Sequence, residues 1–139
     1  MENPLMIKQL AHVCIHAKDL EETEAFYCGI LKCSLGFEFF RGETRMGFYI
    51  QLGNQSFLEF FSGEPGEVGN IRHLALEVED MDVLIQRLRE HGVEVGEKKR
   101  GADHSWQIWC KDPNGVDIEF HQYTPESLQL RGGRCEVNW

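Results

Sequence analysis

Long apolar runs are missing from this sequence. No stretch approaches the ~18 consecutive apolar residues that a membrane-spanning helix needs, which argues against a membrane protein of that kind. Basic residues are also scarce: Lys plus Arg number 14 against 23 Asp plus Glu, for a net charge of −9 with neutral histidines. An acidic chain repels phosphate backbones and anionic headgroups, so neither nucleic acid nor a membrane surface is expected as a partner. The longest basic run, Lys98-Lys99-Arg100, reads as a solvated loop. Met1-Glu2-Asn3-Pro4 does not lead a basic stretch into an apolar one, so no secretory signal is expected. The five cysteines, Cys14, Cys28, Cys33, Cys110 and Cys135, are odd in number and form no Cys-x-x-Cys pair. That pattern suits reduced thiols and a cytoplasmic chain.

What is present is ordinary for a globular protein: 42% apolar and 27% charged residues. The length of 139 residues fits one domain, or two small modules sharing a core. A chain of this size can bury roughly two thirds of its unfolded surface and needs no staple to fold. A bound metal would therefore serve function rather than stability.

Residues 7–16 read as a strand, and Asp19 as the N-cap of a helix at about 20–32. Strands are expected at about 35–41, 46–52 and 56–62, with Gly42 and Gly53-Asn54 in the turns. Residues 63–70, rich in glycine and containing Pro65, form the best linker. The order then restarts: a strand at 71–79, Asp80 capping a helix at about 81–91 that ends at Gly92, and strands at about 93–98, 105–111 and 116–122. Asp112-Pro113-Asn114-Gly115 is a strong turn signal. The tail, 123–139, has a short helical look around Pro125–Leu130. His12 and His73 are 61 residues apart, as are Asp19 and Asp80; Asn54 and Asn114 are 60 apart, as are Glu59 and Glu119. The expected fold is therefore α+β, two copies of a βαβββ module at about 7–62 and 71–122, paired about a pseudo-twofold axis.

His12, Glu59, His73 and Glu119 carry the chemistry. Each is assigned to a strand whose alternate residues are apolar, so all four side chains point away from the helix-packed face. If each sheet curls, its other face encloses a cavity into which two imidazoles and two carboxylates project. That set suits one divalent ion, Zn, Ni, Co, Mn or Fe. On a six-coordinate ion it leaves two positions for water or substrate oxygens.

Other residues share these faces. Phe57 and Phe61 flank Glu59 and read either as a pocket wall or as core. Cys14, near His12, reads as an inert packed cysteine. Trp106 and Trp109 lie on opposite faces of one strand, so at most one can line the cavity. His16 follows His12 on its face and reads as a rim residue that could contact substrate. His121 continues the Glu119 face and could support a metal ligand. Arg41 and Arg45 read as solvated.

From about Lys8 to Gln122 the chain resembles the vicinal oxygen chelate superfamily, the glyoxalase, bleomycin-resistance and dioxygenase proteins. The matching stretches are Ala11-His12-Val13-Cys14-Ile15, Asp19-Leu20, Ala25-Phe26-Tyr27, Leu35-Gly36-Phe37 and Arg72-His73-Leu74-Ala75-Leu76. Asp112-Pro113-Asn114-Gly115-Val116-Asp117-Ile118-Glu119-Phe120 is the most specific. Glyoxalase I-like proteins of the bacterial kind carry His, Glu, His, Glu where this chain has His12, Glu59, His73 and Glu119. Extradiol dioxygenases and fosfomycin transferases use two His and one Glu, and the epimerase has Gln in place of Glu59. The resemblance therefore implies a lyase or isomerase acting on a small 2-oxoaldehyde–thiol adduct or related substrate with vicinal oxygens. It implies Glu119 as the base that moves a proton between carbons through a metal-held enediolate, with Glu59 as its partner in the return step. Two residues that help hold glutathione in that group are replaced by His16 and Gly63, which leaves the thiol open. The resemblance also implies a homodimer, with each site built in one chain or across two. The alternatives are an extradiol-type dioxygenase or thiol transferase, or a non-catalytic protein that sequesters a drug-like small molecule.

Overall fold

The computed structural model describes residues 9–67 and 69–137. Met1–Pro4, the Ile7 and Lys8 end of the expected first strand, Val68 of the linker and the last two residues of the tail lie outside the described residues. The chain forms two compact units that divide between Gly66 and Glu67.

In the first unit, β1 (His12–Ala17) leads to α1 (Leu20–Glu24), which continues as a π-helical turn over Ala25–Ile30. Then come β2 (Ser34–Arg41), β3 (Thr44–Gln51) and β4 (Phe57–Ser62). Asp19 caps α1 by accepting from the Glu22 N–H at 3.0 Å. The expected helix at 20–32 is thus α-helical only in its first turn. The Leu31 N–H reaches back five residues to the Phe26 carbonyl, and the wider turn leaves the adjacent Phe26 and Tyr27 both buried. The sheet order is β1-β4-β3-β2, with β1 parallel to β4 and the other pairs antiparallel. The first strand starts five residues later than expected because a strand extends only as far as its partner, and Phe57, opposite His12, is the first residue of β4.

Strand alternation sorts this sheet. Ile15, Ala17, Phe48, Ile50, Leu58 and Phe60 turn toward the helix and are buried with Phe26 and Tyr27. Tyr27 packs on Phe60 at 4.9 Å between ring centroids, and Phe48 on Phe60 at 5.2 Å.

The second unit repeats the order: β5 (Leu74–Glu77), α2 (Met81–Glu90), β6 (Lys99–Arg100), β7 (Trp106–Lys111), β8 (Asp117–Gln122) and a final turn of helix, α3 (Leu128–Arg131). Its sheet order is β5-β8-β7-β6, again with the first and last strands parallel. Asp80 caps α2 through the N–H groups of Asp82 and Val83. Gly92, at φ +74°, closes it, with Val93 N–H bonded to the Leu88 carbonyl and Gly92 N–H to that of Arg89. The buried set is Met81, Ile85, Leu88, Ile108, Cys110, Ile118 and Phe120. In the Asp112 turn the side chain accepts from the N–H groups of Asn114 and Val116, and Gly115 takes φ +82°.

Three expectations fail in this unit. The strand at 71–79 shrinks to Leu74–Glu77, so His73 stands one residue before it. The alternating Val93 and Val95 find no ladder; the short edge strand falls on Lys99–Arg100, opposite Gln107 and Trp106, where a solvated basic loop was expected. The tail helix starts later than Pro125, because Ser127 and Leu128 are tied to the loop before β7. Ser127 hydroxyl meets that of Ser105 at 2.8 Å, and Leu128 N–H donates to the Asp103 carbonyl.

One glycine is dictated by a close approach. A Cβ at Gly47 would lie 2.2 Å from the Phe60 carbonyl oxygen and 2.9 Å from the Phe61 ring. Gly47→Ala should therefore destabilise the protein by about 1–3 kcal/mol, as overpacking does, with the far-UV spectrum kept. Thermal unfolding checks this, and an unchanged midpoint would contradict the packing described.

Candidate functional site

In the first unit the sheet face opposite the core carries three rows: His12, Cys14 and His16 on β1; Phe57, Glu59 and Phe61 on β4; Gln51, Tyr49 and Gly47 on β3. Cys14 and Tyr49 are the residues registered beside Glu59 on either side. His12 Nε2 stands 3.7 Å from Glu59 Oε1, and Tyr49 Oη is 3.2 Å from His12 Nδ1. The neighbouring Glu59 carboxylate, an acceptor facing the phenol, holds the Tyr49 pKa above its usual value, with burial adding to the effect. Cys14 is exposed on this face rather than packed inertly; burial of its sulfur, then a hydrogen bond to Glu59, push its thiol pKa up.

Around the His12–Glu59 pair lies a wall of rings. Phe37 stacks on Tyr49 at 4.3 Å with 20° between planes, and Phe39 packs on Phe61 at 4.7 Å. Phe57 edges onto Tyr49 at 5.6 Å. Phe57 and Phe61 are thus wall and not core. Phe37 is 53% exposed. His16 lies at the end of the row, and a Cβ at Gly63 would meet its ring at 3.3 Å. The two departures noted in the sequence are therefore neighbours: the bare Gly63 backbone leaves room for the imidazole. Arg45 is not solvated; it pairs with Glu24 and Glu38 and lies over the Phe48 ring at 4.5 Å.

The second unit repeats this register. Ala75 and Trp109 flank Glu119 as Cys14 and Tyr49 flank Glu59. His73 lies two residues before Ala75, as His12 lies two before Cys14, and its ring edges onto Trp109 at 4.9 Å. His121 Nε2 pairs with Glu119 Oε1. His121 is 7% exposed, and its Nδ1 has no hydrogen-bond partner among the described residues. Trp106, read as a site candidate, falls on the other face with Ile108 and Cys110, beneath Lys98 and Arg100. Trp109 takes its place. The positions matching the ring wall are polar here: Asp117 for Phe57 and His121 for Phe61.

Each unit thus brings an imidazole close to a carboxylate: His12 to Glu59 in the first and His121 to Glu119 in the second. Nitrogen and oxygen donors of this kind fit a borderline divalent ion. Among the described residues no three or more His, Cys, Asp or Glu side chains gather closely enough to hold a metal. Tyr49 was missed in the sequence. The signal was available: Tyr49 and Trp109 are 60 residues apart, the spacing of Glu59 and Glu119.

A family model described as the Glyoxalase/Bleomycin resistance protein/Dioxygenase superfamily matches residues 9–120. The chain is 32% identical over 130 residues to the uncharacterized protein YaeR of Escherichia coli strain K12, covering 85% of this chain and 98% of that one. It is 28% identical over 130 residues to the mitochondrial methylmalonyl-CoA epimerase of Bos taurus, covering 82% and 74%. Its fold matches that of a glyoxalase family protein from Enterococcus faecalis with a TM-score of 0.71 at 27% identity, over 84% of this chain and 99% of that one. No helix among the described residues is long and apolar enough to cross a membrane.

All five thiols are free. Burial pushes Cys33 and Cys110 up to about 11, so at pH 8 only ~0.1% of each is thiolate. Iodoacetamide at pH 8 should modify exposed Cys135 first and these two at least ~10-fold more slowly, with the gap closing as pH rises toward 11. Peptide mapping by mass spectrometry reads this out; equal rates at pH 8 would contradict the burial.

Proposed function

We propose that this chain, a member of the Glyoxalase/Bleomycin resistance protein/Dioxygenase superfamily, is a metal-dependent lyase or isomerase of the glyoxalase I type, acting as a homodimer on a 2-oxoaldehyde–thiol adduct or a related substrate with vicinal oxygens. The observation that carries this reading is the recurrence, in both units, of a glutamate registered beside the residue that follows a histidine by two: Glu59 beside Cys14 and Glu119 beside Ala75. His12, Glu59, His73 and Glu119, two from each unit, would hold the ion. When bound, a divalent ion of this class acts as a Lewis acid that stabilises negative charge on adjacent oxygens.

The chain's own groups do the rest. Glu119 takes the proton from one substrate carbon and delivers it to the neighbouring carbon, with Glu59 as its counterpart in the return step. One C–H bond breaks and another forms, and no co-reactant is consumed. His121, packed against Glu119, orients the carboxylate. His16, Phe57 and Phe61 contact the substrate, and the rings of the first unit favour an apolar substituent on it.

The ring wall also favours a second reading, a non-catalytic binding protein for an aromatic small molecule. Elemental analysis separates the two. The protein, as isolated or after metal reconstitution, should hold about one divalent ion per chain, and His73→Ala should lose it. Glu119→Gln should lower turnover of methylglyoxal–thiol adducts by about 10²–10⁴-fold, the range for a general base. No metal after any reconstitution would overturn the enzyme reading. Turnover largely kept in Glu59→Gln would move it to the three-ligand dioxygenase or transferase class.

A further inference from the structure

We propose that the ring wall of the first unit selects a substrate whose reacting carbons carry an aryl group, and that Phe37 is the residue that sets this preference. This rests on the reading that the reacting carbons sit beside His12 and Glu59.

The wall is built around a missing side chain. Phe39 on β2 and Phe61 on β4 are registered against Gly47 from opposite sides, so a whole strand separates them. Neighbouring strands lie about 4.8 Å apart, and a side chain on the middle strand would stand between the two rings. Gly47 has none, and a Cβ there would lie 2.9 Å from the Phe61 ring. The rings therefore meet over bare backbone, with 4.7 Å between centroids. In the next row of the same face, Tyr49 is registered beside Glu59, and Phe37 stacks on it at 4.3 Å and 20°. Phe37 also meets Phe39 edge-on at 5.1 Å and 65°, which joins the two rows. Phe57 edges onto Tyr49 from the other side. Five rings thus form one continuous surface that borders the Glu59 carboxylate.

The rings on the opposite face of this sheet are closed off: Phe48 and Phe60 have no exposure. Phe37, with two ring partners, is still 53% exposed. A ring held by its neighbours and open to solvent is a prepared surface for a ligand. Stacked and edge-to-face contacts contribute beyond the area they bury, so an aryl group gains there what an aliphatic group of equal size does not. The border with Glu59 identifies the occupant as the group attached to the reacting carbons. The second unit has no such wall: Lys99 is registered against Gln107 where Phe39 is registered against Gly47, and Asp117 and His121 replace Phe57 and Phe61.

Three neutral vicinal diols test this: 1-phenyl-1,2-ethanediol, 1-cyclohexyl-1,2-ethanediol and 1,2-propanediol. They share the paired oxygens and differ in the group that would meet the wall. NMR titration of the protein, metal-free and zinc-loaded, gives their affinities. The phenyl diol should bind about 2–10-fold tighter than the cyclohexyl diol, the gain of an aromatic pair beyond its area, and at least ~10-fold tighter than propanediol. Phe37→Leu keeps an apolar side chain and should bring the phenyl and cyclohexyl diols level. Phe40→Leu should leave the wild-type ranking, because Phe40 is an exposed ring of the same strand with no ring contact among the described residues. Cyclohexyl binding as tight as phenyl in wild type, or a phenyl preference that survives Phe37→Leu, would overturn the assignment. So would a Phe37→Leu variant that splits a dimer in sedimentation velocity while the diols shift no wall resonance, since the wall would then be a contact between two copies of the chain. Failure to bind any divalent ion would sink the enzyme reading alone, and the diol ranking of the metal-free protein would still decide the aryl preference.

Discussion

The parallel pairing of the first strand of each unit with its last is the constraint on which the candidate site depends. Glu59 follows His12 by 47 residues and Glu119 follows His73 by 46, yet the ladder sets each carboxylate beside the residue two after its histidine. A parallel pair needs a crossover, and the helix and two intervening strands of each unit supply it. The same ladder makes the core. Once alternation turns Ile15, Leu58 and Phe60 toward the helix in the first unit, His12, Cys14 and Glu59 must share the other face. A one-residue slip of β4 would bury Glu59 and expose Leu58 and Phe60, so the stability of the core enforces the geometry of the site.

The two units use one backbone plan for different surroundings. Around Glu59 the neighbours are a phenol, a thiol and a wall of phenylalanine rings. Around Glu119 they are a buried imidazole and an indole. Glu59 thus has a phenol and a thiol registered on its two sides, whereas Glu119 is paired with a buried histidine.

Much of this was legible in the sequence. The 60- and 61-residue spacings exposed the repeat, and the turn and cap residues Asp19, Asp80, Gly92 and Asp112 act as their types demand. His12, Glu59 and Glu119 lie on the sheet faces opposite the buried residues, whereas His73 stands one residue before its strand. The misreadings share a cause. Strand ends at 7–16, 71–79 and 93–98 depend on whether a partner strand reaches them, and periodicity carries no record of a partner. Trp106 and Trp109 are equivalent by composition, and only the register with Glu119 picks Trp109. Arg45 looks solvated until Glu24, 21 residues earlier, is brought to it by the fold.

The sequence by itself determined which residues can do chemistry and which side of a strand each one takes, because side-chain type and a period of two are local properties. Tertiary structure alone decided what each of those residues touches: that the Tyr49 hydroxyl meets the His12 ring, that His121 closes on Glu119, and that Gly63 leaves room for His16. Those contacts join residues far apart in the chain, and they exist only once hydrogen-bonded register has placed one strand against another.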